Sequence, residues 1–176
     1  SGAVTLLLVR YARLHARFTG DHDTSGVQKF HVGAVPRVGG LAIMAAALAG
    51  CVVTMLRESQ LSAGFLLLLV ASLPAFLGGL IEDITKRVAP TPRLLLAMVS
   101  GLLAFYFLDA KVVRLDIWGV DWLLQFSLVS LLVSMFVAGG AANAINIIDG
   151  YNGLAAVVAA IIFAGFAYVS FYLGDR

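Results

Sequence analysis

The chain has 176 residues; 61% are hydrophobic and 12% charged, and 12 basic against 10 acidic side chains give a net charge of +2. A soluble domain carries about 25% charged residues, so this composition, with a mean hydropathy of +0.97, has too little polar surface to cover a globule in water. It excludes a soluble enzyme, a disordered tail and a nucleic-acid-binding module, and implies an integral membrane protein.

An apolar segment at residues 3–9 opens the chain. It is too short to span a bilayer and reads as the end of a helix, finishing near residue 16, whose start is missing. There is no initiator Met and no signal-peptide layout, so the chain reads as part of a longer protein. Stretches without Asp, Glu, Lys or Arg then cover residues 38–56, 59–81, 94–108, 122–148 and 150–174. A spanning helix needs about 20 mostly apolar residues. Four stretches meet this outright; the fifth, 94–108, is extended by Pro92, which suits a first helical turn, and by Arg93, which snorkels to the interface. Backbone groups in hydrocarbon must be satisfied within the segment, so the spans are helices, and they are too long for barrel strands. The expected fold is an all-α, multi-pass membrane helix bundle in one transmembrane domain over 1–176. Its five full helices lie at roughly 39–56, 61–81, 92–108, 122–142 and 154–173, after a partial first one. The lone cysteine, Cys51, reads as a small core residue. Small-residue patches at 45–50 and 138–142 permit close helix packing, within the chain or between two copies in a homodimer.

Orientation follows the loop cations. Arg10, Arg13, Arg17, Lys29 and Arg37 precede the first full span, and Lys86, Arg87 and Arg93 follow the second, against Arg57, Lys111 and Arg114 on the other side. This places residues 17–38 and 82–91 in the cytoplasm, and parity adds 142–153. Each of these segments carries a polar cluster.

The first cluster is Gln28-Lys29-Phe30-His31 followed by Pro36-Arg37-Val38-Gly39-Gly40. Cations beside exposed N–H groups at a helix start form an anion site; a positive-inside anchor with a Pro-Gly turn fits the same residues. The second is Gly78-Gly79-Leu80-Ile81-Glu82-Asp83, followed by Thr85-Lys86-Arg87. Adjacent carboxylates at a membrane edge suit Mg²⁺ or a general base; equally, Glu82 with Lys86 or Asp83 with Arg87 forms an i,i+4 pair. The third is Asn143-Ala-Ile-Asn146-Ile-Ile-Asp149-Gly150-Tyr151-Asn152-Gly153. Residues 143, 146 and 149 form a slanting stripe on a helix, with Ile145 and Ile148 turned away, until the two glycines break it. Interhelical hydrogen bonding accounts for the amides but not for the Asp-Gly-Tyr-Asn-Gly turn. Cations, carboxylates and amides on one membrane face suit phosphoryl-type transfer, where positioning and charge neutralisation do most of the catalysis. A water-soluble donor would meet a lipid acceptor there.

In family order, these three motifs resemble those of the polyprenyl-phosphate N-acetylhexosamine-1-phosphate transferases (glycosyltransferase family 4), and the first favours the hexosamine-phosphate branch over the peptidoglycan branch. The resemblance implies transfer of sugar-1-phosphate from a UDP-N-acetyl-sugar to undecaprenyl phosphate, giving the lipid diphosphate-sugar and UMP. Mg²⁺, or Mn²⁺ in its place, would be the cofactor. It also implies a bacterial inner membrane, a cytoplasm-facing site, and a role in starting O-antigen or other cell-envelope polysaccharide. Glu82, Asp83 and Asp149 match the family's catalytic carboxylates, with Asp83 and Asp149 as metal ligands. Lys29, His31, Arg37, Asn143, Asn146, Gly150 and Asn152 match substrate-binding positions. The chain departs from the family in having Glu82 for the first of two paired aspartates, Asn152 for a second aspartate, and none of the later helices with their own metal-binding aspartate and histidine loop. It thus reads as the N-terminal half of such an enzyme, inactive alone. The alternatives are an ion or solute transporter centred on Asp149 and a degenerate, non-catalytic relative.

Overall fold

The computed structural model describes residues 2–11, 20–21, 35–36, 39–57, 59–85, 90–148 and 153–174. In chain order the helices are α1 (Gly2–Arg10), α2 (Gly39–Arg57), α3 (Ser59–Thr85), α4 (Pro90–Phe107), the short α5 (Val120–Leu123), α6 (Ser127–Ile148) and α7 (Leu154–Leu173). A two-residue antiparallel pairing joins β1 (Gly20–Asp21) to β2 (Val35–Pro36) between α1 and α2. Among the described residues, five helices are long and apolar enough to cross a membrane: α2, most of α3, α4, α6 and α7.

Helix starts follow local chemistry. Pro90 opens α4, with Pro92 still in the first turn, where a missing N–H costs nothing; the helix therefore begins two residues before the expected position. Gly153 precedes α7 at φ +79°, a left-handed conformation that costs other residues roughly 1–2 kcal/mol. The largest boundary difference is in α6, expected at 122–142 and observed at Ser127–Ile148. Residues 120–126 are taken up by α5 and a turn, because the Asp121 carboxylate accepts the Leu115 N–H at 2.7 Å and holds this stretch against the preceding loop. The freed register carries α6 six residues further, so that Asn143 and Asn146 sit on the helix itself.

The helices pack antiparallel in sequence. Gly40 and Gly50 of α2 face Phe76 and Phe65 of α3. α4 is central, packed on α3 and on α6. Without a water-driven core, membrane helices are held by close approach of small residues and by interhelical hydrogen bonds. Both occur here. A Cβ added at Gly78 would stand 2.7 Å from Leu96; at Gly101, 2.8 Å from the Ala138 Cβ; at Gly139, 2.7 Å from Met98. Ala138 and Gly139 of the 138–142 patch therefore serve packing within the chain, while residues 140–142 are exposed. Next to Pro74, inside α3, the Ala75 N–H donates to Ser100 Oγ of α4 at 3.0 Å; a proline leaves its helix short of one N–H and crowds the preceding turn, and α4 supplies an acceptor beside it. Cys51 is buried, as expected, with Ala42, Ala71, Ala97 and Phe105. α7 touches α6 only slightly, and none of its residues is buried.

Candidate active site

Three helix starts (α2, α4, α7) and two helix ends (α3, α6) share one end of this antiparallel bundle. Helix N-termini concentrate unpaired N–H groups and positive potential, so this end is predisposed to anions. α3 has 27 residues and is thus about 40 Å long, against a hydrocarbon thickness of about 30 Å. Its last turns, with Glu82 and Asp83, reach the polar boundary.

Glu82 is tied down. Arg93 Nη1, from the first turn of α4, donates to both its carboxylate oxygens, at 3.0 and 2.8 Å. Both side chains are mostly buried, 20% exposed for Arg93 and 28% for Glu82. This ion pair crosses between helices; Lys86 and Arg87, the i,i+4 partners expected for Glu82 and Asp83, lie outside the described residues. The sequence presents Arg93 as a loop cation that snorkels to the interface, and not as a partner of Glu82. Its partnership depends on how the chain turns between α3 and α4, which sequence spacing does not encode. Asp83 is the next residue, about 100° round the helix, and is half-buried. Thr85 closes the helix by donating to the Ile81 carbonyl at 2.6 Å.

On α6, Gly139 faces Leu94 and Met98 of α4. One turn further along the same antiparallel register, Asn143 reaches the level of Arg93, hence of the Glu82–Arg93 pair. Asn143 is half-buried and Asn146 exposed. The structure thus brings Glu82, Asp83, Asn143 and Asn146 to one end of the bundle. Lys29, His31, Arg37, Asp149, Gly150 and Asn152 lie outside the described residues. Among the described residues no group of three His, Cys, Asp or Glu side chains forms a metal cluster. Among the described residues the carboxylates at this end are Glu82 and Asp83; Mg²⁺ typically takes one or two carboxylates and leaves the rest to water and phosphate, so these side chains are of the kind that ion takes.

Glu82→Gln and Arg93→Gln are each expected to destabilise the bundle by about 1–3 kcal/mol, between the values for exposed and fully buried pairs. The exchange Glu82→Arg with Arg93→Glu should recover part of the loss. Thermal unfolding followed by a thiol-reactive dye at buried Cys51 measures this.

Residues 65–176, more than half of the chain, match the family model described as glycosyl transferase family 4. The chain belongs to this family. Family 4 relatives include the phospho-N-acetylmuramoyl-pentapeptide-transferase of Geobacillus thermodenitrificans, 28% identical over 80% of this chain and 46% of the relative. They also include the undecaprenyl-phosphate alpha-N-acetylglucosaminyl 1-phosphate transferase of Escherichia coli O157:H7, 24% identical over 97% of this chain and 45% of the relative. The phospho-N-acetylmuramoyl-pentapeptide-transferase of Streptococcus pneumoniae (strain Taiwan19F-14) is 23% identical over 99% of this chain and 58% of its own length. The chain spans about half the length of the curated relatives it matches. No solved structure matches. The name of the Escherichia coli relative gives undecaprenyl phosphate and an N-acetylglucosaminyl 1-phosphate, the acceptor and type of transferred group expected from the motifs; the other two are phospho-N-acetylmuramoyl-pentapeptide-transferases.

Proposed function

We propose that this chain forms part of an enzyme transferring N-acetylhexosamine-1-phosphate from a UDP-sugar to undecaprenyl phosphate at the cytoplasmic face of a bacterial inner membrane. Membership of glycosyl transferase family 4 carries the reading, and the grouping of carboxylates and amides at one bundle end supports it. An oxygen of the lipid phosphate attacks the sugar-bearing phosphorus of the donor. The bond from that phosphorus to the bridging oxygen breaks, and UMP leaves with the bridging oxygen. Three diphosphate-sugar components remain on the lipid: its own phosphate, the transferred phosphorus and the sugar. Mg²⁺, when bound, would neutralise the donor's diphosphate, and Asp83 and Asp149 are the residues that would hold it.

The remaining residues position the reactants. Lys29 and Arg37, before α2 in the sequence, supply positive charge for phosphate, and His31 a ring N–H donor. Asn143 and Asn146, in the last turns of α6, offer amide donors and acceptors six and three positions before Asp149 in the sequence, and Gly150 and Asn152, leading to the left-handed Gly153, would let backbone approach the nucleotide closely. Glu82 acts through its pair with Arg93, holding the end of α3 on α4 and with it Asp83. Opposite charges at one end and apolar spans between favour an enzyme over a transport path.

The full-length protein, given undecaprenyl phosphate, Mg²⁺ and a panel of UDP-N-acetylhexosamines, is expected to release UMP with at least one of them. Release only with a UDP-linked N-acetylmuramoyl-pentapeptide would move it to the other branch. Release with no donor would overturn the reading.

A further inference from the structure

The opposite end of the bundle carries a second organised surface that the proposed chemistry does not use. We propose that residues 108–126, between α4 and α6, are seated in the lipid headgroup interface, with Trp118 and Trp122 as anchors. Trp118 is 100% exposed and Trp122 61% exposed. Val113, Ile117 and Phe126 are also exposed.

This exposure is built in. Ser130 Oγ donates to the Val112 carbonyl at 2.8 Å, and the Val112 N–H donates to Ser134 Oγ at 2.9 Å, so two buried serines of α6 grip the loop backbone from both sides. Asp121 holds the Leu115 N–H, and Trp122 packs edge-on against Phe126 at 5.4 Å between ring centres. Asp109 and Asp116 take positive φ of 55°, a conformation that Asp tolerates better than most residues. A loop fastened at these points cannot fold its tryptophans inward.

Two observations select lipid as the occupant. The loop joins the ends of two spanning helices, so the headgroup layer lies at its level whatever else is present. Its cations are matched locally: Lys111 pairs with Asp109 and also lies over the Phe105 ring, and Arg114 pairs with Asp116 at 2.6 Å. What it offers outward is therefore indole, apolar on its faces and an N–H donor at its edge, the side chain enriched where acyl chains meet headgroups. This inference is independent of the proposed reaction.

Trp118 and Trp122 are the two tryptophans of this sequence, so indole emission reports the loop. Trp118→Phe and Trp122→Phe proteins, each checked for a dye-protected Cys51, would be reconstituted in phosphatidylcholine vesicles. The lipids would be brominated either near the headgroup or near the acyl-chain end. The emission lost in each variant relative to the parent protein gives the signal of the replaced tryptophan, whatever other tryptophans a longer chain holds. Both signals are expected to be quenched more by shallow than by deep bromine, and less by aqueous iodide than free indole is. Quenching by iodide without quenching by bromolipid would overturn the proposal in favour of water. Protection from both quenchers would overturn it in favour of a protein partner or a second copy. Stronger quenching by deep than shallow bromine would overturn it in favour of the acyl core.

Discussion

Asp83→Asn and Asp149→Asn are each expected to lower UMP release by the full-length protein by about 10²–10⁴-fold, the range for losing a positioned acid–base group. The substitution keeps size and hydrogen-bonding capacity but removes the charge that a divalent cation or a phosphoryl proton requires. Glu82→Gln makes the informative contrast. Its carboxylate is spent on Arg93 through both oxygens, so its loss should appear mainly as reduced thermal stability, with a smaller fall in turnover that the Glu82→Arg, Arg93→Glu exchange partly restores. Steady-state assays on the three single variants, with Cys51 protection recorded for each, separate the two effects. Unchanged turnover in both aspartate variants would remove the catalytic assignment.

Gly101→Val is expected to destabilise the bundle by about 3 kcal/mol or more, the upper end of overpacking. The new Cβ would meet Ala138 Cβ at 2.8 Å, the Met135 Cα at 3.1 Å and the Ser134 carbonyl oxygen at 3.3 Å. Two of these are backbone atoms, which no rotamer change can move, so α4 and α6 must separate. Separation would also loosen Ser134 from Val112, whose N–H it accepts. Gly64→Ala provides the control. Nothing lies within 4 Å of that position, and the gain in helix propensity is worth up to about 1 kcal/mol. The dye-detected unfolding midpoint should fall sharply for Gly101→Val and stay level or rise for Gly64→Ala; equal midpoints would mean that α4 and α6 are not in close contact.

The spans were legible because charge is expensive in hydrocarbon, so gaps between charged residues mark helices directly. α7 carries the expected bounds, 154–173, and α2 ends one residue later than expected, at Arg57. α6 was misplaced because the run 122–148 holds no charged residue that would mark either end of the helix. The break at its start comes from a single side chain, Asp121, reaching back to Leu115. Hydropathy does not see such a bond. At the candidate site, the spacing of residues 143 and 146 gave their helical stripe, and the doublet Glu82-Asp83 stood out as costly at a membrane edge. The division of labour within the doublet was hidden, because it is set by Arg93, eleven positions away and on another helix. Pro74 likewise gave no hint that Ser100 would be the group to accept the Ala75 N–H.

The central claim is that three separated stretches converge at one membrane end. Spin labels at Phe30→Cys, Thr85→Cys and Tyr151→Cys, paired two at a time in an otherwise cysteine-free full-length protein in lipid nanodiscs, measure it directly by dipolar spectroscopy. All three distances are expected to fall well below the about 30 Å hydrocarbon thickness, while a label at Trp118→Cys should lie at or beyond that thickness from each of them. A Thr85–Tyr151 or Phe30–Thr85 distance as long as those to residue 118 would contradict a shared phosphate-handling site.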